Sequence, residues 1–287
     1  MRAARFLWLL FLPAIPYAQV RVDRLVDPSQ AQREVLYLWS AKHVRLLFPG
    51  FENLAAAIYW LRTVQYFGGQ RLFDRDKRFE LLSPLIDITT TLDPRLEIAY
   101  RYGAIFLSEA PPFGAGRPHD GIALLARGAG AVQNSWRLRQ DLGFFQFLYL
   151  RDARSASQTL LEASRTPGAP FWLRSMAANV LMKGGERALA RRMWQEMLEQ
   201  AEEGILRTNA RVQLEVFDAR DQADLLTSLV REHEKRKGQR PASLEELIRS
   251  GLLRGSAVDA AGVPFEYDQA SGVVRVSNMS PLWRPER

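Results

Sequence analysis

Two stretches one repeat apart decide how this chain is read: RQDLGFFQFLYL at Arg139–Leu150 and SMAANVLMKGG at Ser175–Gly185. In the first, Leu142-Gly143 places a small residue where two helices would cross closely. In the second, Ala177-Ala178 does the same, and 35 residues separate Gly143 from Ala178. That step is near the ~34-residue period of arrays built from helix-turn-helix units. With Ala178 as the eighth position of such a unit, Ala190, Trp194 and Met197 fall at the twentieth, twenty-fourth and twenty-seventh. Those positions want small, large and medium apolar side chains. The stretch Trp136–Met197 therefore predicts paired helices whose approach is set by small residues.

Composition fits a folded chain of this kind. With 287 residues, 47% apolar and 25% charged, there is enough apolar material for one large domain or two modest ones. The formal charge of +7 permits an anionic partner, but the cations are scattered and interleaved with acids. Arginine dominates along the whole chain; Lys42, Lys77, Lys183, Lys235 and Lys237 are the only lysines. There is no cysteine, which excludes disulfides, thiolate metal sites, thiol nucleophiles and a lipid anchor on an N-terminal cysteine.

Outward from the centre, the N-terminus carries an address. Arg2 and Arg5 precede the apolar run FLWLLFLPAIPYA, Phe6–Ala18, a basic region and apolar core of signal-peptide length. The run is shorter than the ~20 residues of a spanning helix. Pro16 fits poorly at the minus-three position for cleavage after Ala18, so residues 1–18 are a signal peptide or a short N-terminal anchor.

Asp27-Pro28-Ser29 reads as a helix start, and Leu36, Leu38, Trp39, Val44, Leu46, Leu47 and Phe48 continue it to Pro49-Gly50. The next run predicts a helix from Phe51 to Phe67 closed by Gly68-Gly69. Its aromatics Tyr59, Trp60, Tyr66 and Phe67 suit a stacking platform in one reading and core packing in the other; helical spacing beside Leu54, Ile58 and Leu61 favours core. FELLSPLIDITTTLDP supplies a partner helix ending at Asp93-Pro94, and IAYRYGAIFL begins another near Leu96.

Tyr100, Gly103-Ala104 and Leu107 occupy the fourth, seventh-eighth and eleventh positions of a tetratricopeptide first helix. Over about Phe51–Leu214 the chain resembles that family, in particular divergent tetratricopeptide-like proteins of bacterial envelopes in which a helix like Trp60–Gly68, WLRTVQYFG, precedes an LDP segment. The resemblance implies a right-handed superhelix of helix pairs that binds a protein or partner peptide on its concave face. GGQRLFDRDK and SEAPPFGAGRPH are longer than the family's turns, and 39 residues separate Ala104 from Gly143, so the early repeats are irregular.

Farther on, GERALARRMWQEMLEQAEE predicts an amphipathic helix with Ala190, Trp194, Met197 and Ala201 on one face. Arg187, Arg191 and Arg192 against Glu196, Glu199, Glu202 and Glu203 predict a solvated face of paired charges. Leu206–Phe217 continues helically, and Asp221 or Asp224 starts a further helix to Lys237. A turn at Gly238 precedes Ser243 and Glu246 in capping-box register. VPFEY, the turn DQASG and VVRVS then alternate as a two-stranded hairpin. The segment Lys235–Asn278 resembles the C-terminal region of type II secretion major pseudopilins, where a helix like SLEELIRSGLL leads into a strand like AGVPFEYD. The pseudopilin N-terminal methylation helix is absent, and no calcium ligands carry over; the segment also reads as a module that seals the last repeat.

The expected fold class is mainly α, a tetratricopeptide-like helical-hairpin solenoid with a small C-terminal helix plus β-hairpin module. Its expected organisation is leader 1–18, helical repeats 27–234, the α+β module 235–278 and a tail 279–287. No glycine-rich phosphate loop, paired-histidine metal motif or nucleophile elbow occurs. His119 reads as a solvated or capping histidine in the loop before IALLARGAGAV, far in sequence from His43 and His233. Glu202-Glu203 and Glu245-Glu246 fall in exposed helical registers. No catalytic, cofactor-binding or metal site is expected.

In repeat register, Gln65, Arg101, Arg137, Gln140, Ser175 and Asn179 are the expected partner-binding residues, hydrogen-bonding an extended segment, with the arginines free to meet carboxylates. The leading function is a non-enzymatic interaction scaffold or adaptor, periplasmic or otherwise held at the cell envelope. It would have a protein partner and a membrane tether through the N-terminus, and would serve an assembly such as a pilus or secretion system; no nucleic acid is expected. The alternatives are an envelope enzyme acting on glycan or peptide, motivated by the Tyr59–Phe67 aromatics, and a basic nucleic-acid-binding protein, motivated by net charge.

Overall fold

The computed structural model describes residues 40–72, 79–202 and 204–284, together with Arg21. The leader, the helix start at Asp27-Pro28-Ser29, the residues Leu36, Leu38 and Trp39, the segment 73–78 and Glu203 lie outside the described residues. Within them the chain is mainly helical, with eleven α-helices and a two-stranded antiparallel sheet. It divides into two compact units, Met1–Val132 and Gln133–Arg287.

The first unit holds α1 (Ala41–Leu47), α2 (Glu52–Leu72), α3 (Leu82–Leu92), α4 (Glu97–Ser108) and α5 (Pro118–Ala131). Helix α2 packs on α3 and α4 on α5, each pair being consecutive in sequence. In α3 the apolar positions Leu82, Leu85, Ile86, Ile88 and Leu92 are buried. Its interior hydroxyls are satisfied locally: Thr89 donates to the Leu85 carbonyl at 2.8 Å and Thr90 to Ile86 at 2.9 Å. Asp93-Pro94 ends α3, and the Asp93 carboxylate accepts the Arg95 N–H at 2.9 Å.

Small residues set the α4–α5 distance. A Cβ on Gly128 would lie 2.6 Å from the Tyr100 ring, and one on Gly121 would lie 2.1 Å from Ser108 Oγ and 2.8 Å from the Ala104 carbonyl. Tyr100, Gly103, Ala104 and Leu107 are all buried. The loop after α4 turns back on its helix end: the N–H groups of Ala115, Gly116 and Arg117 donate to the carbonyls of Phe106, Glu109 and Leu107. Orphan carbonyls at a helix C-terminus need such partners, which is the work of the extra length in SEAPPFGAGRPH.

Helix α2 runs on to Leu72, so Gly68-Gly69 do not close it. Neither glycine takes the positive φ of a C-terminal cap, and a Cβ on either would meet nothing within 4 Å. His119 stands in the first turn of α5, exposed, because Pro118 starts that helix one residue earlier.

The second unit holds α6 (Trp136–Phe145), continued by a π turn over Gln146–Leu150, then α7 (Ala153–Ser164), α8 (Trp172–Lys183), α9 (Arg187–Gln200) and α10 (Ile205–Lys237). It closes with α11 (Leu244–Arg249) and the strands β1 (Glu266–Asp268) and β2 (Val273–Arg275). Gly143 sits where expected: its Cβ would lie 2.9 Å from Leu160 Cγ and 3.0 Å from the Ala156 carbonyl of α7. Ala177 and Ala178 are fully buried in α8. Ala190, Trp194 and Met197 of α9 pack with Ala178 and Leu181 of α8 and Ala210 and Phe217 of α10.

Helix α10 is one continuous helix of 33 residues, so neither Asp221 nor Asp224 starts a new one. These acids, with Asp218, lie three residues apart on one face and are engaged by α9. Arg187 meets Asp221 at 2.5 Å and Asp224 at 2.7 Å, while Arg191 meets Asp218 at 2.7 Å and also Asp221. The charge pairing of α9 therefore runs between helices, not to Glu196 and Glu199 of its own face, which remain exposed with Arg192.

Gly238, at φ 73°, closes α10. Ala223, Leu226 and Val230 of α10 form a core with Leu244 and Leu247 of α11 and with Phe265 and Val274 around the hairpin. Thr227 ties α10 to β2, accepting the Val274 N–H at 2.9 Å. The capping box is half made: Glu246 accepts the Ala242 N–H at 2.8 Å, one residue before the expected donor, and Ser243 makes no side-chain cap. Leu282 is buried against Val216 and Ala219 of α10.

Candidate interaction surfaces

In the first unit, α2 presents two apolar stripes. Ala55, Ala56, Tyr59, Thr63 and Phe67 face inward; Tyr59 joins Val44, Leu85, Ile88 and Leu92 in one core. The aromatics of this helix stack within the fold, Phe67 on Phe106 at 3.9 Å between centroids and Trp60 on Phe106 at 6.0 Å. Phe67 also meets Phe79 at 5.5 Å.

The second stripe, Phe51, Leu54, Ile58 and Leu61, repeats at three- and four-residue spacing and faces solvent, with Leu54 56% and Leu61 58% exposed. It continues into α1 and the Pro49-Gly50 turn, where Leu46, Leu47 and Phe48 are exposed. A groove of about 430 Å³ opens here, lined by Val44, Leu47 and Phe48 and by Ala55, Ile58, Tyr59 and Arg62. Arg62 is its one charged lining residue, its guanidinium 5.9 Å from the Tyr59 ring centre. Glu52 opens α2, and the backbone N–H groups of Glu52 and Gly50 hold its carboxyl below the usual glutamate range.

Gln65 is exposed on α2 one turn beyond Leu61, so the structure sets it in this apolar face. Arg101, half-buried on α4, lies 3.9 Å from Glu97.

The other expected partner-binding residues belong to the second unit. Trp136 at the start of α6 and Trp172 at the start of α8 meet edge to face, with centroids 6.1 Å apart. Arg137 is exposed, its guanidinium 4.4 Å from the centre of the Trp136 ring. Gln140 follows one turn beyond Trp136 and is half-buried; Ser175 is buried one turn beyond Trp172, and Asn179, a turn farther, is exposed. The tryptophan pair thus brings the first turns of α6 and α8 together. Arg137 and Asn179 are the members of this group turned to solvent, beside exposed Phe171 and Trp172.

The tryptophans themselves were not among the expected site residues. The signal was available, since Trp136 and Trp172 are 36 residues apart and recur one repeat step on.

The histidines do not assemble. His43 is exposed on α1, bonded to Ser40 at 2.8 Å, His119 is exposed on α5, and His233 is buried in α10 with Nε2 3.4 Å from Glu246. Among the described residues, no group of three or more His, Asp or Glu side chains is arranged to hold a metal ion, and no helix is long and apolar enough to cross a membrane. Comparison with protein-family models, curated proteins and solved structures returns no match.

Proposed function

We propose that the chain is a non-enzymatic adaptor of the cell envelope, exported or tethered by its N-terminus, whose tetratricopeptide-like hairpins hold a protein partner or an extended partner peptide within a larger assembly. The observation that carries this reading is the Trp136–Trp172 pair with Arg137 over Trp136 and solvent-facing Phe171 beside it. Aromatic and arginine side chains combine large contact area with directional bonding, and they dominate protein-binding hot spots. In a solenoid the first helices of consecutive hairpins, here α6 and α8, would line such a surface. Arg137 and Asn179 would then meet carboxylates or backbone groups of the bound segment.

A photoreactive amino acid at Arg137 or Asn179, installed in the full chain in intact cells, tests the reading. It predicts one recurrent protein crosslinked from both positions in the envelope fraction and not from Gln158, which is exposed on α7. Products no different from those at Gln158, or a chain recovered only from the cytoplasm, would overturn it.

A further inference from the structure

We infer that the exposed face of α1 and α2 is a docking surface for an anionic lipid bilayer, so that the chain touches the membrane through a folded element as well as through its N-terminus. This surface lies in the first unit and is independent of the partner-binding reading for α6 and α8.

A helix that lines a core on one face normally turns polar residues outward, whereas α2 turns Phe51, Leu54, Ile58 and Leu61 to solvent. In the six-residue run LLFPGF, Leu46–Phe51, every side chain is apolar and every residue is exposed, with Leu46 at 73%. A contiguous apolar patch of this kind marks an interaction surface. Its form, an apolar turn leading into an apolar helix stripe, suits an interface in which side chains enter the acyl boundary while the helix lies along it. The adjoining groove, apolar but for Arg62, has room for part of an acyl chain.

Charge selects the occupant. Between Ser40 and Arg62 the exposed cations are Lys42, Arg45 and Arg62, with Glu52 the one acid. Arg45 donates to the Thr91 carbonyl, while Lys42, one turn before exposed Leu46 on α1, and Arg62, which lines the groove, border the apolar surface. Anionic headgroups complement that border, and basic residues beside an apolar face strengthen binding to an anionic leaflet. A second copy of the chain would bring the same cations toward one another. Position also agrees: Ala18, the end of the apolar run, and Ser40 are 22 residues apart in sequence, which limits their separation to about 75 Å. A short apolar anchor binds membranes reversibly, and stable attachment takes a second contact.

The absence of cysteine allows a direct test on the full chain. Leu54→Cys, Ile58→Cys and Leu61→Cys are each labelled with an environment-sensitive fluorophore, with Gln158→Cys as the reference, and mixed with vesicles of phosphatidylcholine alone or with phosphatidylglycerol. The expected result is a blue shift and a several-fold rise in emission at positions 54, 58 and 61. It should be larger with phosphatidylglycerol, weaker at high salt and quenched by spin-labelled lipid, with no change at 158. Labels that stay solvated while the protein sediments with vesicles would overturn the inference, leaving the N-terminus as the only contact. Labels already blue-shifted without lipid and indifferent to it would also overturn it, dilution then distinguishing a second copy from cover within the chain.

Discussion

Helices α2 and α9 are built alike on the inside and differently on the outside. Each lays small and large side chains into a core, Ala55, Tyr59 and Phe67 in α2 and Ala190, Trp194 and Met197 in α9. Away from the core, α9 carries Arg192, Glu196 and Glu199 in solvent and sends Arg187 and Arg191 to the aspartates of α10. Helix α2 instead exposes a second apolar stripe. Packing within the unit explains one stripe of α2 and gives no reason for the other, so the outer stripe belongs to whatever covers it.

The widest contrast is between an inner and an outer apolar residue. Trp194→Ala removes a fully buried indole from the junction of α8, α9 and α10 and should cost about 3–5 kcal/mol in chemical denaturation. Ile58→Ser, on the outer stripe, should change stability by no more than about 0.5 kcal/mol. A loss of several kcal/mol at Ile58 would mean that the outer stripe is packed within the folded chain.

Glycines sharpen the same contrast by sign. Gly128→Ala drives a methyl to 2.6 Å from the Tyr100 ring and should destabilise by about 1–3 kcal/mol, with α4 and α5 forced apart. Gly68→Ala places its methyl in open space inside α2, one turn from its C-terminal end, and should stabilise by about 0.5–1 kcal/mol, because alanine loses less backbone entropy in a helix. Thermal unfolding of the two variants should shift in opposite directions.

These cases mark where the sequence was readable. Gly143 and Ala178 could be placed at helix crossings because close approach requires a small residue in an apolar run, a requirement carried by the chain itself. The turn DQASG was legible for a similar reason: Gly272 takes φ 73°, and Asp268 accepts the Ala270 N–H at 2.9 Å. Gly68-Gly69 resemble a stop in sequence because glycine often caps helices, but capping depends on a φ that only the folded chain sets. Asp221 and Asp224 resemble helix starts in sequence because their partners, Arg187 and Arg191, lie about 30 or more residues away and show only in the folded chain. At the candidate surfaces, periodicity set Leu54, Ile58 and Leu61 in the core beside the α2 aromatics, whereas the structure buries Tyr59 and Phe67 and turns these three to solvent, because spacing alone does not separate two apolar stripes on one helix. Of the residues taken in repeat register, Arg137 and Asn179 face solvent and Ser175 is buried.

A pH-dependent contrast separates the starts of α7 and α2. Asp152 caps α7, and the Ser155 hydroxyl, followed by the Ser155 N–H at 3.0 Å, holds its carboxyl below the usual aspartate range. Its folded pKa therefore lies below its unfolded one, so its stabilising contribution is complete above the ordinary aspartate range and is lost as pH falls through the lowered folded value. Asp152→Ala should cost about 1 kcal/mol at neutral pH, with the difference from the parent chain vanishing in acid. Glu52 has the same sign, its carboxyl held low by the backbone N–H groups of Glu52 and Gly50. It sits beside the face assigned to anionic lipid, where a negative surface also concentrates protons. Small bicelles containing phosphatidylglycerol should therefore raise the pH at which Glu52 titrates and leave Asp152 unmoved, as read from the two carboxyl resonances by NMR. Equal shifts at both residues would show that the lipid does not distinguish α2 from α7.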